Sequence, residues 1–192
     1  MRKRTYTLYS LHELPTEARQ RVLDRYRYMN VDDQWWYQLT VENWKAKLES
    51  MGYEDPRILF SGFYSQGDGA CFEARINLEV WLGQSGLTGK YRRLRDAYST
   101  SDVELTLRHS GCYYHEYSTL LESHYSGSDD RVTRELSDVE SLITEERVRL
   151  AKEIYRELER AYDAQTDNEA VAETLNANEF EFFKNGRVAG DC

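Results

Sequence analysis

Three things are scarce in this 192-residue chain: cysteine, uninterrupted apolar sequence and positive charge. The three cysteines, Cys71, Cys112 and Cys192, lie far apart and form no Cys-x-x-Cys pair. That is the usage of a reducing cytoplasm and excludes a disulfide framework. No stretch is apolar for long enough to span a membrane. Met1-Arg2-Lys3-Arg4 runs into Thr5-Tyr6-Thr7-Leu8-Tyr9-Ser10 rather than into an apolar core segment, so no signal peptide is expected. Internal repeats and low-complexity segments are also missing. A chain of this length buries a core without a disulfide or a structural metal, and a single α+β domain over residues 1–192 is expected, without a cofactor.

Lys and Arg number 25 against 34 Asp and Glu, for a formal net charge of -9. Residues 1–120 are balanced at 16 of each sign, so the whole excess lies in residues 121–192, with 9 basic and 18 acidic residues. Nucleic acid is gripped through phosphates by a positive surface that releases counterions, and direct nucleic-acid binding is therefore not expected. The same acidity admits two readings. It is ordinary solubility charge, or it is attracted to a basic partner and competes there with DNA or RNA.

The elements follow from periodicity. Residues 3–9 alternate like a short strand, with Lys3, Thr5, Thr7 and Tyr9 against Arg4, Tyr6 and Leu8. Pro15 in a first turn and Leu14, Ala18, Val22 and Tyr26 at helical spacing predict a helix. A second follows Asn30-Val31-Asp32-Asp33, with Tyr37, Val41, Trp44, Leu48 and Met51 as its stripe and Gly52 as its stop. From Arg57 the period changes to two. Ile58 and Phe60 precede a glycine turn, and Phe72 to Leu82 alternate with Cys71 to Trp81 as one half-buried antiparallel strand. Lys90–Tyr98 predicts a short basic helix, Val103–Leu107 a strand, and Tyr113–Tyr125 another. After Ser126-Gly127-Ser128-Asp129-Asp130, apolar positions from Val139 to Ala161 mark a long amphipathic helix over 137–164, with a shorter one from Asp167 to Asn176. Asn185-Gly186 signals a terminal hairpin. The chain thus reads as sheet-rich over 1–125, acidic and helical over 126–178, and a hairpin over 179–189. The fold class is α+β, an antiparallel sheet with helices on one face.

The turn Ser61-Gly62-Phe63-Tyr64-Ser65-Gln66-Gly67-Asp68-Gly69-Ala70 is the least ordinary segment. Its N–H groups could nest an anion, with Ser65, Gln66 and Asp68 at a site mouth; alternatively, Gly67 and Gly69 supply positive φ to a bulged hairpin that Gln66 and Asp68 close. No Lys and no helix follow, as a phosphate loop requires, and the acidic oxygens are too few for a calcium loop. His109, His115 and His124 with Glu116 suggest a metal site or an acid–base pair, or else polar cross-strand partners. His115-Glu116 lacks a second histidine at helical spacing, and neighbours on a strand point to opposite faces. No serine sits in a nucleophile elbow and no cysteine has an activating context. Trp35, Trp36, Trp44, Trp81 and fifteen tyrosines make an aromatic-rich chain, as suits a core or a protein interface.

Across nearly its whole length the chain resembles an uncharacterised family of bacteriophages, prophages and other mobile elements. The resemblance is carried by Leu11-His12-Glu13-Leu14-Pro15-Thr16-Glu17-Ala18, Asp33-Gln34-Trp35-Trp36, Phe60 to Ala70 across the glycine turn, Tyr113-Tyr114-His115-Glu116, and Ala177-Asn178-Glu179-Phe180-Glu181-Phe182. Members are sometimes labelled antitoxins of toxin–antitoxin stability systems. The resemblance implies an accessory protein in the cytoplasm of a bacterial host. The expected function is non-enzymatic: to bind and block a basic, nucleic-acid-directed host protein, as an antitoxin or an inhibitor of CRISPR-type defence. Glu145, Glu146, Glu153, Glu157 and Glu159 are the candidate partner-facing residues. The competing expectation is a small enzyme or ligand-binding protein with Ser65, Gln66, Asp68, His115 and Glu116 lining its site.

Overall fold

In the computed structural model, which describes residues 5–189, the alternating run from Cys71 to Leu82 divides at Asn77. Strand β2 (Ala70–Ile76) stops there, and α3 (Leu78–Gln84) begins. The reason is local. Asn77 has extended backbone and its side-chain oxygen accepts from the Val80 N–H at 3.2 Å, an N-cap. Leu78, Trp81 and Leu82 are then buried at positions that share a helix face, so the single strand expected to Leu82 is corrected to a strand and a capped helix.

β2 pairs with β1 (Tyr53–Phe60) on one side and β3 (Val103–His109) on the other, and β3 pairs with β4 (Thr119–Tyr125). All pairings are antiparallel, and the order is β1-β2-β3-β4. The register of β1 shifts between Glu54 and Arg57, where Asp55 has φ 49° and Pro56 occupies an edge strand that tolerates it. The strand expected over 113–125 starts only at Thr119.

α2 (Trp35–Ser50), α4 (Arg92–Ser99) and α5 (Asp130–Thr166) are the other helices that reach this part of the chain. Val103, Leu105 and Leu107 of β3 are buried while Glu104 and Arg108 are exposed. Across from Leu105, Ser123 donates its hydroxyl to Glu140 of α5, so the long helix covers that face. The opposite face carries the exposed ion pairs Arg57–Glu73, Arg75–Asp55 and Arg108–Glu122, each a minor contributor to stability. Density of internal contacts defines this sheet-bearing unit as residues 39–159 and a second unit as 5–38 with 160–189.

The second unit has its own core. α1 (Thr16–Tyr26) and α6 (Asn168–Ala177) bury Ala18, Val22, Leu23, Val171 and Leu175 with Leu11, Leu14 and Phe182. Pro15 stands one residue ahead of α1, at its N-cap. The expected strand over 3–9 is reduced to one bridge, Tyr9 with Phe182, closed by reciprocal N–H to carbonyl bonds of 2.8 Å; Lys3 and Arg4, like Cys192, lie outside the described residues. The terminal hairpin forms around Asn185-Gly186, with Gly186 at φ 88° and Phe182 bridging to Val188.

The interior of the 39–159 unit also sets its alkaline limit. Burial pushes the Cys71 thiol above its ordinary 9.0, and burial followed by the neighbouring Glu146 carboxylate pushes the Tyr53 hydroxyl well above its ordinary 10.0. The folded chain therefore keeps protons that the unfolded chain has already lost. Stability from these groups is complete below the unfolded values and falls as pH rises past them. Thermal melts followed by circular dichroism are expected to hold level up to about pH 9 and decline above it, less steeply in Cys71→Ala. A melting temperature unchanged to pH 11, about two units above the thiol's unfolded value, would remove this account.

Candidate functional site: two braced hairpin tips

Because β2 and β3 run antiparallel, the β1–β2 connection (61–69) and the β3–β4 connection (110–118) emerge at the same end of the sheet. The first tip closes on itself. Ser61 N–H donates to Gly69 O at 3.1 Å, Gly69 N–H to Ser61 Oγ at 3.3 Å, and Ser65 N–H to Asp68 Oδ2 at 2.7 Å. Gly67 has φ 90°, as a turn of this kind requires. Gly69 serves differently. A Cβ there would lie 2.8 Å from Cα and Cβ of His115 and from Tyr114 O, so its bare backbone is what allows the second tip to pack against the first.

The second tip is also held by its own polar groups. Ser110 N–H donates to Ser118 O at 2.7 Å and Ser118 N–H to His115 O at 2.8 Å. His115 N–H donates to Ser118 Oγ at 3.2 Å, and Tyr117 N–H donates to His115 Nδ1 at 3.1 Å, which puts the proton of a neutral imidazole on Nε2. The ring of His109 meets Tyr113 O at 3.0 Å. From α5, Arg147 Nη1 donates to Glu116 O at 2.8 Å and Lys152 pairs with the Glu116 carboxylate at 3.6 Å. The same helix braces the first tip: Tyr155 stacks on Phe63 with centroids 5.4 Å apart and donates its hydroxyl to Gly62 O at 3.3 Å. Burial holds the Tyr155 hydroxyl above its ordinary value, so it remains a donor.

The predicted site residues are thus brought to one end of the sheet, and most are employed in closing the tips. Asp68, His115 and Glu116 each have a partner within or beneath their own loop, the Ser65 N–H is taken by Asp68, and the Gln66 side chain is exposed. His124 lies apart, on β4 opposite Glu104. Among the described residues, no three His, Cys, Asp or Glu side chains converge as a metal site.

What the tips present outward is aromatic. Tyr64, Tyr113 and Tyr117 are 71%, 60% and 61% exposed, and a Cβ at Gly67 would touch the Tyr113 ring at 3.3 Å. Tyr64 also adopts φ 73°, a left-handed conformation costly to a side chain of its size. The signal for these residues was present in the sequence as tyrosines inside both turn segments, but only the sheet order brings the two turns to one end.

The five α5 glutamates expected to face a partner divide. Glu146 Oε2 accepts from Tyr53 Oη at 2.8 Å and from Trp81 Nε1 at 2.7 Å, Glu157 accepts from Trp44 Nε1 at 2.7 Å, and Glu153 pairs with Arg149 and Lys47. Glu145 and Glu159 accept no hydrogen bond or ion pair from a described side chain.

A family model described as Domain of unknown function (DUF8835) matches residues 36–168, and the chain belongs to that family. The match spans the whole sheet and both tips. No curated protein and no solved structure matches the chain. Among the described residues, no helix is long and apolar enough to cross a membrane.

Proposed function

We propose that this member of the DUF8835 family is a non-enzymatic inhibitor: an accessory protein of a phage or other mobile element that binds and blocks a nucleic-acid-directed protein of its bacterial host, as an antitoxin or an inhibitor of CRISPR-type defence. The observation that carries this reading is the set of three exposed tyrosines on two tips that brace each other. Tyrosine offers a large amphipathic contact at small conformational cost, and rigid presentation reduces the ordering that binding would otherwise require. Tyr64 adds weight, since its left-handed backbone, φ 73°, carries a ring that is 71% exposed. The employment of Asp68, His115 and Glu116 in loop closure favours a scaffold for those rings over a catalytic set. The net charge of -9 favours a basic partner surface, with steric occlusion as the mechanism.

The test is affinity capture from nuclease-treated lysate of the bacterial host, with mass spectrometry, using the parent chain and a Tyr64→Ala, Tyr113→Ala, Tyr117→Ala triple variant. One stoichiometric partner that acts on nucleic acid is expected with the parent. The triple variant, whose circular dichroism melt should stay close to the parent's, is expected to lose it by about a hundredfold in affinity, in line with the loss of two or three central interface aromatics. Retention by the triple variant would move the contact surface elsewhere.

A further inference from the structure

We propose that β4 pairs with β4 of a second copy of this chain, antiparallel and with Ser123 opposite Ser123, so that the two sheets become one across a two-fold axis. The two edges of the sheet are unlike. β1 carries devices that keep another strand away: Pro56, a register shift between Glu54 and Arg57, and Asp55 at φ 49°. β4 carries none of them. It pairs with β3 through seven successive residues without a shift and holds no proline, glycine or lysine. Ser110 N–H donates to Ser118 O and Ser126 N–H to Asp102 O, which fixes the even-numbered residues of β4 as the ones bonded to β3. Leu121, Ser123 and Tyr125 therefore turn their N–H and C=O toward the open edge, and no described group bonds to them there.

The helix layer stops short of this edge. Leu105 and Leu107 of β3 are buried, whereas Ser123 and Leu121, directly opposite them on the same face, are exposed and half-buried. Beside Leu121 lies a cleft of about 620 Å³, bounded on α5 by Glu140, Ser141, Thr144 and Glu145, which leaves room for a second strand. The side chains then select the register. With Ser123 on the axis, Leu121 meets Tyr125 of the second copy on the helix-covered face, and Glu122 meets His124 on the open face. Arg108 Nε takes Glu122 Oε2 at 2.7 Å, so Oε1 is the acceptor offered to the imidazole. His124 is flanked by two carboxylates, its own Glu104 across β3 and Glu122 of the second copy. One step either way sets Glu122 against Glu122 or His124 against His124, and like charges directly opposite are destabilising. A two-fold axis requires one patch to serve both sides, and this stretch does. On α5, Glu140 and Glu145 approach their copies across the axis, so the pairing is expected to tighten as salt screens them.

Sedimentation equilibrium of the whole chain in about 0.3 M salt is expected to show monomer and dimer with a Kd on the order of 10 µM. Ser123→Pro removes the outward N–H while sparing the β3 ladder, and should weaken the dimer about a hundredfold for the two bonds lost at the axis. Ser123→Ala loses only the hydroxyl bond to Glu140 and should stay within about twofold of the parent. Disulfide capture reads the register, in a Cys112→Ser, Cys192→Ser background. Glu122→Cys mixed with His124→Cys should give covalent dimers under mild oxidation, because residues opposed in this way stand about 4.5 Å apart at Cα, within disulfide reach. Neither variant should do so alone. A chain that stays monomeric to about 0.5 mM, a dimer indifferent to Ser123→Pro, or cross-linking of either cysteine variant alone as readily as in the mixture would overturn the proposal. The pairing is independent of the inhibitor reading, and its tests leave the tyrosines of the hairpin tips unchanged.

Discussion

Gly52→Ala is expected to destabilise the 39–159 unit by about 3 kcal/mol, from a backbone cost of roughly 1–2 kcal/mol and overpacking of roughly 1–3 kcal/mol. Gly52 has φ 95°, and a Cβ there would lie 2.8 Å from Trp81 N and 2.9 Å from Asn77 O. Both obstacles are backbone atoms and neither can rotate away. The crowding has a structural purpose. Gly52 O accepts the Asn77 N–H at 2.8 Å, which joins the end of α2 to the cap of α3 and fixes where β2 must stop. Thermal melts should show a fall of about 10 °C for a unit of this size. Gly86→Ala is the internal comparison, because Gly86 has φ 68° with open space within 4 Å of where its Cβ would stand, and it should cost only the backbone share. Equal melting temperatures for the two variants would refute the crowding.

Glu146→Ala is expected to cost about 2–5 kcal/mol, because each buried donor left without an acceptor costs about 1–3 kcal/mol. Its carboxylate accepts from two side chains that are almost wholly buried, Tyr53 at 0% and Trp81 at 3% exposure. Removing it leaves the phenol of Tyr53 and the indole of Trp81 without their acceptor. Glu146→Gln keeps one side-chain oxygen and should cost about 1 kcal/mol, the value of an ordinary hydrogen bond. Urea unfolding curves at neutral pH separate the two outcomes, and an alanine variant no less stable than the glutamine variant would show that the carboxylate is dispensable. The consequence reaches the function. Charge reversal at Glu146 or Glu157 would lose binding through misfolding, so the informative reversals for an acidic contact are at Glu145 and Glu159.

How the site escaped the sequence follows from where its determinants lie. The long helix, the Gly52 stop and the Asn185-Gly186 turn each depend on residues within a few positions, and each was legible. The run from Phe72 to Leu82 satisfied two periods at once, since Leu78, Trp81 and Leu82 also share a helix face, and only the cap by Asn77 decides between them. The loop before Thr119 was hidden for another reason: its support comes from Arg147, 31 residues away. Glutamates on a charged helix look solvent-facing until the indoles of Trp44 and Trp81, from distant segments, are found on them. Likewise Gly69 reads as a turn residue, yet what it permits is the approach of His115 from another hairpin.

The central claim, that the chain occludes a nucleic-acid-directed protein, is tested most directly by competition. The captured partner, bound to fluorescently labelled nucleic acid, is titrated with the parent chain while fluorescence anisotropy is followed. Displacement that saturates at one chain per partner, and that fails with the tyrosine triple variant, is the predicted result. A ternary complex in which partner, nucleic acid and chain persist together would contradict it.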